Sequence, residues 1–307
     1  MEIFEAYGAF FYICALLLGL LVGSFLNVVI YRLPKILDRQ WRLECTNFLD
    51  SNAAADGTPI EKPDAEKLGG NGSDIEKPER YSLAWPGSHC PHCNAKIRPW
   101  HNIPLIGYAL LRGKCADCHT AISPRYPIFE FICGILSLLV ILEFGASYQG
   151  LFGLGLTWAL IALAGIDLDT KLLPDNITLP LLWAGLIVNA FTTYVPLIDA
   201  LWGAVAGYMT LWAVFWVFKL VTGKEGMGYG DFKLLAALGA WMGWSVLPMI
   251  ILVSSVVGLI AAVLMMVLLS HDRRIPIAFG PYLAIAGWIA FVFGDQVARW
   301  VPLLAVV

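Results

Sequence analysis

Residues 149–194 read QGLFGLGLTWALIALAGIDLDTKLLPDNITLPLLWAGLIVNAFTTY. The first part, Gln149–Ile166, is almost unbrokenly apolar, and so is the last, Ile177–Tyr194. Between them stand Asp167, Asp169, Lys171 and Asp175, with Leu173-Pro174 among them. Each apolar run approaches the roughly 20 residues that a helix needs to cross a bilayer. The stretch therefore reads as a helical hairpin in a membrane with carboxylates gathered at its turn. Charges are costly in hydrocarbon, so their position marks a membrane edge or a function.

Six further runs share this texture: Ala9–Tyr31, Pro127–Gly145, Ile198–Lys219, Phe232–Gly243, Ser245–Leu269 and Ile277–Gly294. Phe232–Gly243 is short and reads as a tilted or half-buried helix, so seven or eight crossings are expected. The 307-residue chain is 59% hydrophobic and only 14% charged, with a mean hydropathy of +0.71. A soluble domain carries roughly a quarter charged residues, so an ordinary soluble enzyme and a disordered chain are both excluded. The expected fold is an all-α polytopic membrane protein with about eight transmembrane helices.

Orientation follows from the cations. Met1–Gly8 holds two Glu and no Lys or Arg, whereas Arg32 follows the first run. That run has no basic region before it and no small-residue cleavage site, so it reads as an anchor rather than a cleaved signal peptide. The positive-inside rule then puts the N-terminus outside. Alternating from there, 19 of the 20 Lys and Arg residues fall on the cytoplasmic side, leaving only Arg299 opposite. The agreement favours eight crossings.

The chain divides into a first helix (1–31), a cytoplasmic domain (32–126) and a membrane domain (127–307). Residues 50–80 carry a net charge of −4 and repeat Ile-Glu-Lys-Pro at 60–63 and 75–78. They read as a solvated linker with a small duplication. The flanks, 32–49 and 82–126, sum to +6. Basic segments beside a membrane contact anionic lipid, so lipid rather than nucleic acid is their expected partner. Within the second flank, Cys90-Pro-His-Cys93 is followed after 21 residues by Cys115-Ala-Asp-Cys118. Two such knuckles are a zinc-ribbon signature, and four thiolates with no open position indicate a structural ion. A small zinc-ribbon-like insertion between the first two membrane helices is expected; His89, His92 and His119 stand near enough in sequence to substitute as ligands, but the four Cys suffice. A cytoplasmic setting disfavours disulfides. Cys14 and Cys133 read as packing residues, and Cys45 has no partner spacing.

Two acidic clusters stand at membrane edges: the hairpin turn above, and Gly226-Met-Gly228-Tyr-Gly230-Asp231-Phe-Lys233. Both fall on the cytoplasmic side. Two facing carboxyls are the requirement of aspartyl proteolysis, in which one takes a proton from water and the other gives one to the peptide carbonyl. The glycines ahead of Asp231 would let a helix or an extended substrate approach the backbone. Simpler readings stand beside this one. Asp175 reads as a helix N-cap, Asp169 as a cap or solvated loop residue, and Lys233 as an interfacial anchor. Asp199 and Asp295 are ordinary interfacial charges. Glu130, close to Arg125, is placed to pair with it. Asp167 abuts the apolar helix end and is the better catalytic candidate of its cluster.

With these residues in hand, the chain resembles the prepilin peptidases, or type IV leader peptidases, of the GxGD class of intramembrane aspartyl proteases. The likeness covers nearly the whole chain: Gly23-Ser-Phe-Leu-Asn27 through Arg32-Leu-Pro34, the Cys tetrad with Asn102-Ile-Pro104 inside it, Arg125-Tyr-Pro127, Asp167 with Leu173-Pro174, and Gly228-Tyr-Gly230-Asp231. The resemblance implies that Asp167 and Asp231 are the catalytic pair, selecting Asp167 over Asp169. It implies a bacterial inner-membrane enzyme that removes a basic leader from type IV prepilins or type II secretion pseudopilins, cutting after a Gly. It also implies methylation of the new N-terminal residue, usually Phe, with S-adenosylmethionine as cofactor. No Gly-rich loop in a strand–helix context marks a site for that donor. A peptidase-only or methyltransferase-only relative would share these motifs. A proton-coupled transporter would need carboxylates deep in its helices or inverted repeats with broken helices, whereas both clusters lie at one face.

Overall fold

Each apolar run folds as a helix, and the caps explain where most of them stop. In the computed structural model, residues 2–56, 82–224, 226–268 and 278–300 are described. Their helices are α1 (Glu2–Asp56), α2 (Ile106–Leu110), α3 (Arg125–Phe144), α4 (Tyr148–Thr170), α5 (Asp175–Ala190), α6 (Leu197–Thr222), α7 (Tyr229–Met242), α8 (Leu247–Leu268) and α9 (Gly280–Trp300). Among the described residues there is no strand, only two isolated bridges in the Cys-containing segment. Ser147 caps α4 by accepting from the Gly150 amide, and left-handed Lys171 ends that helix. Gly223, also left-handed, ends α6.

Five helices are long and apolar enough to cross a membrane: α1, α3, α4, α6 and α8. α5, α7 and the apolar part of α9 are shorter. The first helix runs past the expected end at Tyr31, through Pro34 and on to Asp56. Proline costs one backbone hydrogen bond, but the residues after it are mostly good helix formers, and Asp38 pairs with Arg42 one turn on. The helix thus enters the stretch expected to be a linker. The Ile-Glu-Lys-Pro repeats lie outside the described residues.

The helices form two groups, α1–α3–α4 and α5–α6–α7, with α9 packed on both α4 and α7. At the centre is α7, the short run whose exposure the sequence left open. From Asp231 to Met242 every residue but Lys233 is buried. A helix that is apolar all round has no face to offer water and belongs inside a bundle. Its neighbours fit it at close range. Gly203 and Gly239 set the backbones of α6 and α7 in direct contact, and a Cβ on either would strike the other's carbonyl. Gly207, four residues on, does the same against Leu235. This is small-residue packing of the kind that joins membrane helices. On the other side, buried Asn189 of α5 donates to the carbonyls of Ala240 and Trp241 at 2.9 and 3.0 Å. Its side-chain oxygen accepts from the amides of Tyr194 and Val195. Trp241 donates back to the Leu181 carbonyl at 2.8 Å. The two bonds from Asn189 satisfy the Ala240 and Trp241 carbonyls in the last turn of α7, where a helix leaves carbonyls without partners.

Because the α6–α7 contact is backbone to backbone, no rotamer change can relieve an added side chain. Gly239→Val is expected to destabilise the protein by about 3 kcal/mol or more, the upper end for overpacking. Denaturation in detergent measures it, and an unchanged midpoint would contradict this packing.

Candidate active site

The two helix ends that carry the acidic clusters meet. Asp167 lies in the last turn of α4 and Asp231 in the first turn of α7. Both are buried, 4% and 7% exposed. They are close enough for the charge on Asp167 to act on Asp231. The chain arranges this locally. The Lys171 amide bonds to the Asp167 carbonyl at 2.9 Å and its left-handed backbone turns the chain out of α4. That turn brings Leu173 against Gly230, where an added Cβ would come within 2.7 Å of the leucine Cβ. Pro174 then takes the N-cap position of α5.

A third helix end completes the site. Gly280, the first residue of α9, sits so close to Asp167 that a Cβ there would lie 2.6 Å from Oδ2 and 3.0 Å from Leu173 Cδ1. Asp167 Oδ2 is buried against this backbone with no hydrogen-bond partner among the described residues. An orphaned carboxylate oxygen is costly, and sites of chemistry are where such costs are kept. The expected pair, Asp167 and Asp231, is therefore brought together. The contribution of Gly280 was missed, although Gly280-Pro281 ahead of an apolar run is a readable helix-start signal.

Other expectations are corrected. Asp175 is not an N-cap: it is the first helical residue of α5, and its carboxylate binds Lys233 Nζ through both oxygens at 2.7 Å. Lys233 therefore joins α7 to α5 rather than anchoring at the interface. Asp169 pairs with Arg125 at 2.7 Å. Glu130 does not pair with Arg125. Buried in α3, it accepts from the Leu105 amide at 2.8 Å. Leu105 is held at φ 59°, ψ −46°, a conformation unfavourable for a residue with a Cβ. The hydrogen bond from its amide to Glu130 holds it there.

The four cysteines also converge. Their sulfurs lie within 4.8 Å of one another, with Cys90 and Cys118 at 3.8 Å. Four thiolates around zinc at about 2.3 Å stand about 3.8 Å apart in a tetrahedron, so the cluster has the dimensions of a metal site. Its halves are alike. Asn94 and His119, each four residues after the first Cys of its knuckle, are left-handed. Cys90 and Cys115 each close the turn by accepting from that residue's amide. The Thr120 hydroxyl and amide hold the Cys118 thiol down to about 6. The amides of Cys93 and His92 lower that of Cys90. None of the three neighbouring histidines joins the cluster; His89 bonds instead with the Gly87 carbonyl. The segment is fastened to the membrane helices at two points. Buried Arg32 of α1 donates to the Ser82 and Leu83 carbonyls and Glu130 of α3 holds Leu105, while Asn27 ties α1 to the start of α3 through the Tyr126 carbonyl.

Residues 17–144 match the model of the bacterial peptidase A24 N-terminal domain. Residues 154–263 match that of the type IV leader peptidase family. The prepilin leader peptidase/N-methyltransferase of Stutzerimonas stutzeri is 53% identical over 287 residues, 94% of this chain and 92% of that protein. The one from Pseudomonas aeruginosa is 52% identical over 289 residues, with 94% and 92% coverage. That from Neisseria gonorrhoeae is 48% identical over 285 residues, with 93% and 91%. No solved structure matches.

Glu130→Ala is expected to free residues 100–112, raising their hydrogen exchange, whereas Glu130→Gln keeps an acceptor and should leave exchange near wild type. Equal exchange in both variants would contradict the role given to this carboxyl.

Proposed function

Since the chain belongs to the type IV leader peptidase family, we propose that it is a membrane-embedded aspartyl endopeptidase acting on type IV prepilins or pseudopilins. The observation that carries this reading is the buried pair of carboxyls, Asp167 and Asp231, gathered where α4, α7 and α9 end. Two buried carboxyls at one junction are expensive, and such groups in clefts are candidates for chemistry.

In the mechanism, one of the two groups is ionised and the other holds a proton, as facing carboxyls do. The carboxylate takes a proton from water as the water oxygen attacks the scissile carbonyl. The protonated partner gives its proton to the carbonyl oxygen, forming a neutral tetrahedral diol. Collapse breaks the C–N bond as a proton passes to the leaving nitrogen. Glycine at the cleavage position favours the extended backbone that this attack needs. The leader's positive charge stays in the cytoplasm while the apolar helix of the prepilin lies among the membrane helices. This agrees with eight crossings and both Asp at the cytoplasmic face of the inner membrane, the arrangement that the 19 basic residues support.

The four cysteines fit a structural zinc ion, held in a zinc-ribbon-like segment that orders the cytoplasmic loop. Methylation of the new N-terminus with S-adenosylmethionine is proposed from the relatives' name. No described cluster marks where that donor binds.

Asp167→Asn and Asp231→Asn preserve size and remove an ionisable carboxyl. Each is expected to yield inserted, normally melting protein whose prepilin cleavage falls at least 10³-fold, on the order of the loss when a unit-acting catalytic residue is removed. Cleavage by either variant at a tenth of the wild-type rate would refute the assignment. Labelled S-adenosylmethionine in the same assay follows methyl transfer separately from leader release. Elemental analysis should find about one zinc per chain, lost in Cys115→Ser/Cys118→Ser. Iron, or no metal, in the wild-type protein would contradict the site.

A further inference from the structure

Each Asp of the pair is followed two positions later by a residue in an ion pair: Asp169 after Asp167, and Lys233 after Asp231. Two positions along an α-helix are about 200° of rotation. Asp169 and Lys233 therefore point away from the side that carries the carboxyl pair and reach different helices. Arg125, the first residue of α3, holds Asp169 at 2.7 Å. Asp175, the first residue of α5, holds Lys233 through both oxygens.

The pair on α7 matters more, because of how α7 is packed. From Asp231 to its end, Lys233 is the one residue of the helix that is not buried, and every other side chain after Asp231 is apolar. Apolar contact is non-directional. The directional contacts of α7 described above, from Asn189 and Trp241 and at the Gly203–Gly239 and Gly207–Leu235 backbones, all lie from Leu235 onward, a turn or more beyond Asp231. At the N-terminal end Leu173 packs closely on Gly230, a contact that sets distance, and the Lys233–Asp175 ion pair adds a polar contact to another helix. A bidentate contact from Lys233 to a carboxylate at the start of α5 has direction. It fixes the turn of α7 on which Asp231 sits.

Resting on the peptidase reading above, we propose that Lys233 is a positioning residue of the peptidase. With Asp175 it sets the rotation of α7 so that Asp231 faces Asp167, and Arg125 with Asp169 braces α4 in the same way. Neither pair touches the reacting atoms. Both are partly exposed, and such pairs add little to stability, so removing them should alter geometry without unfolding the protein. Misplacement of a catalytic group by about 1 Å can cost about 10²-fold in rate.

The test uses the full-length enzyme in detergent or lipid with a prepilin substrate. Lys233→Met and Asp175→Asn should each lower kcat for leader cleavage about 10- to 100-fold, with KM within about twofold and the melting midpoint near wild type. The charge-exchanged double variant Lys233→Asp/Asp175→Lys should recover most of the lost kcat. Lys233→Arg should stay nearer wild type than Lys233→Met. The proposal is overturned if the single variants keep wild-type kcat. It is equally overturned if kcat falls only in step with melting stability, or if the exchange restores nothing while Lys233→Arg is as poor as Lys233→Met. A wild-type enzyme that does not cleave prepilin would instead remove the peptidase reading itself, so the two failures are distinct.

Discussion

A helix of about 21 Å with apolar side chains on all sides can be stable only inside other helices, and α7 is such a helix. Its burial imposes most of what surrounds it. The closest neighbour, α6, must bring its own backbone into contact, which Gly203 and Gly207 permit. The carbonyls left at its C-terminal end need donors inside the bundle, and Asn189 supplies them from α5. Its N-terminal end cannot be covered in the same way, because the first turn bears Asp231. That end is where the packing opens and where α4 and α9 bring their own ends.

The site follows from that constraint. A carboxyl in the middle of an apolar helix would be intolerably costly, while one at a helix end can share the local polar surroundings. Three ends meeting at one level create such surroundings without a polar core. The side chains at the junction are small or apolar, with Leu173 as a wedge between Gly230 and Gly280. Asp167 Oδ2 stands at this junction, buried against the Gly280 backbone. The Cys-containing segment is built by different means, from two matching knuckles and a few polar bonds to α1 and α3. Its four sulfurs converge without help from any strand.

Much of this was legible in the sequence, and the reasons differ by feature. Helix existence followed from apolar runs, because membrane burial leaves little choice of structure. The Cys cluster followed from spacing, since two C-x-x-C knuckles specify a local geometry. Asp231 could be singled out by its glycines. Choosing Asp167 over Asp169 required a family motif, because both flank the same helix end, and only the fold reveals that Asp169 is engaged by Arg125. The pairings of Asp175, Lys233 and Glu130 were not legible. They join segments 58 residues apart in the case of Lys233 and Asp175 and 25 in the case of Glu130 and Leu105. Sequence proximity favoured Arg125 for Glu130 and a cap for Asp175. Gly280 was missed for the same reason, lying more than a hundred residues from the carboxyl it covers.

The central claim is that Asp167 and Asp231 act as one unit on a peptide bond. A prepilin-like peptide carrying a hydroxyl-bearing, non-cleavable isostere at the Gly-Phe position mimics the tetrahedral diol, and such mimics bind far tighter than substrate. Its binding to the intact enzyme, measured by the shift in melting temperature, tests the claim most directly. The account predicts a clear stabilisation of the wild-type enzyme that is lost in both Asp167→Asn and Asp231→Asn. Undiminished stabilisation of either variant would contradict it.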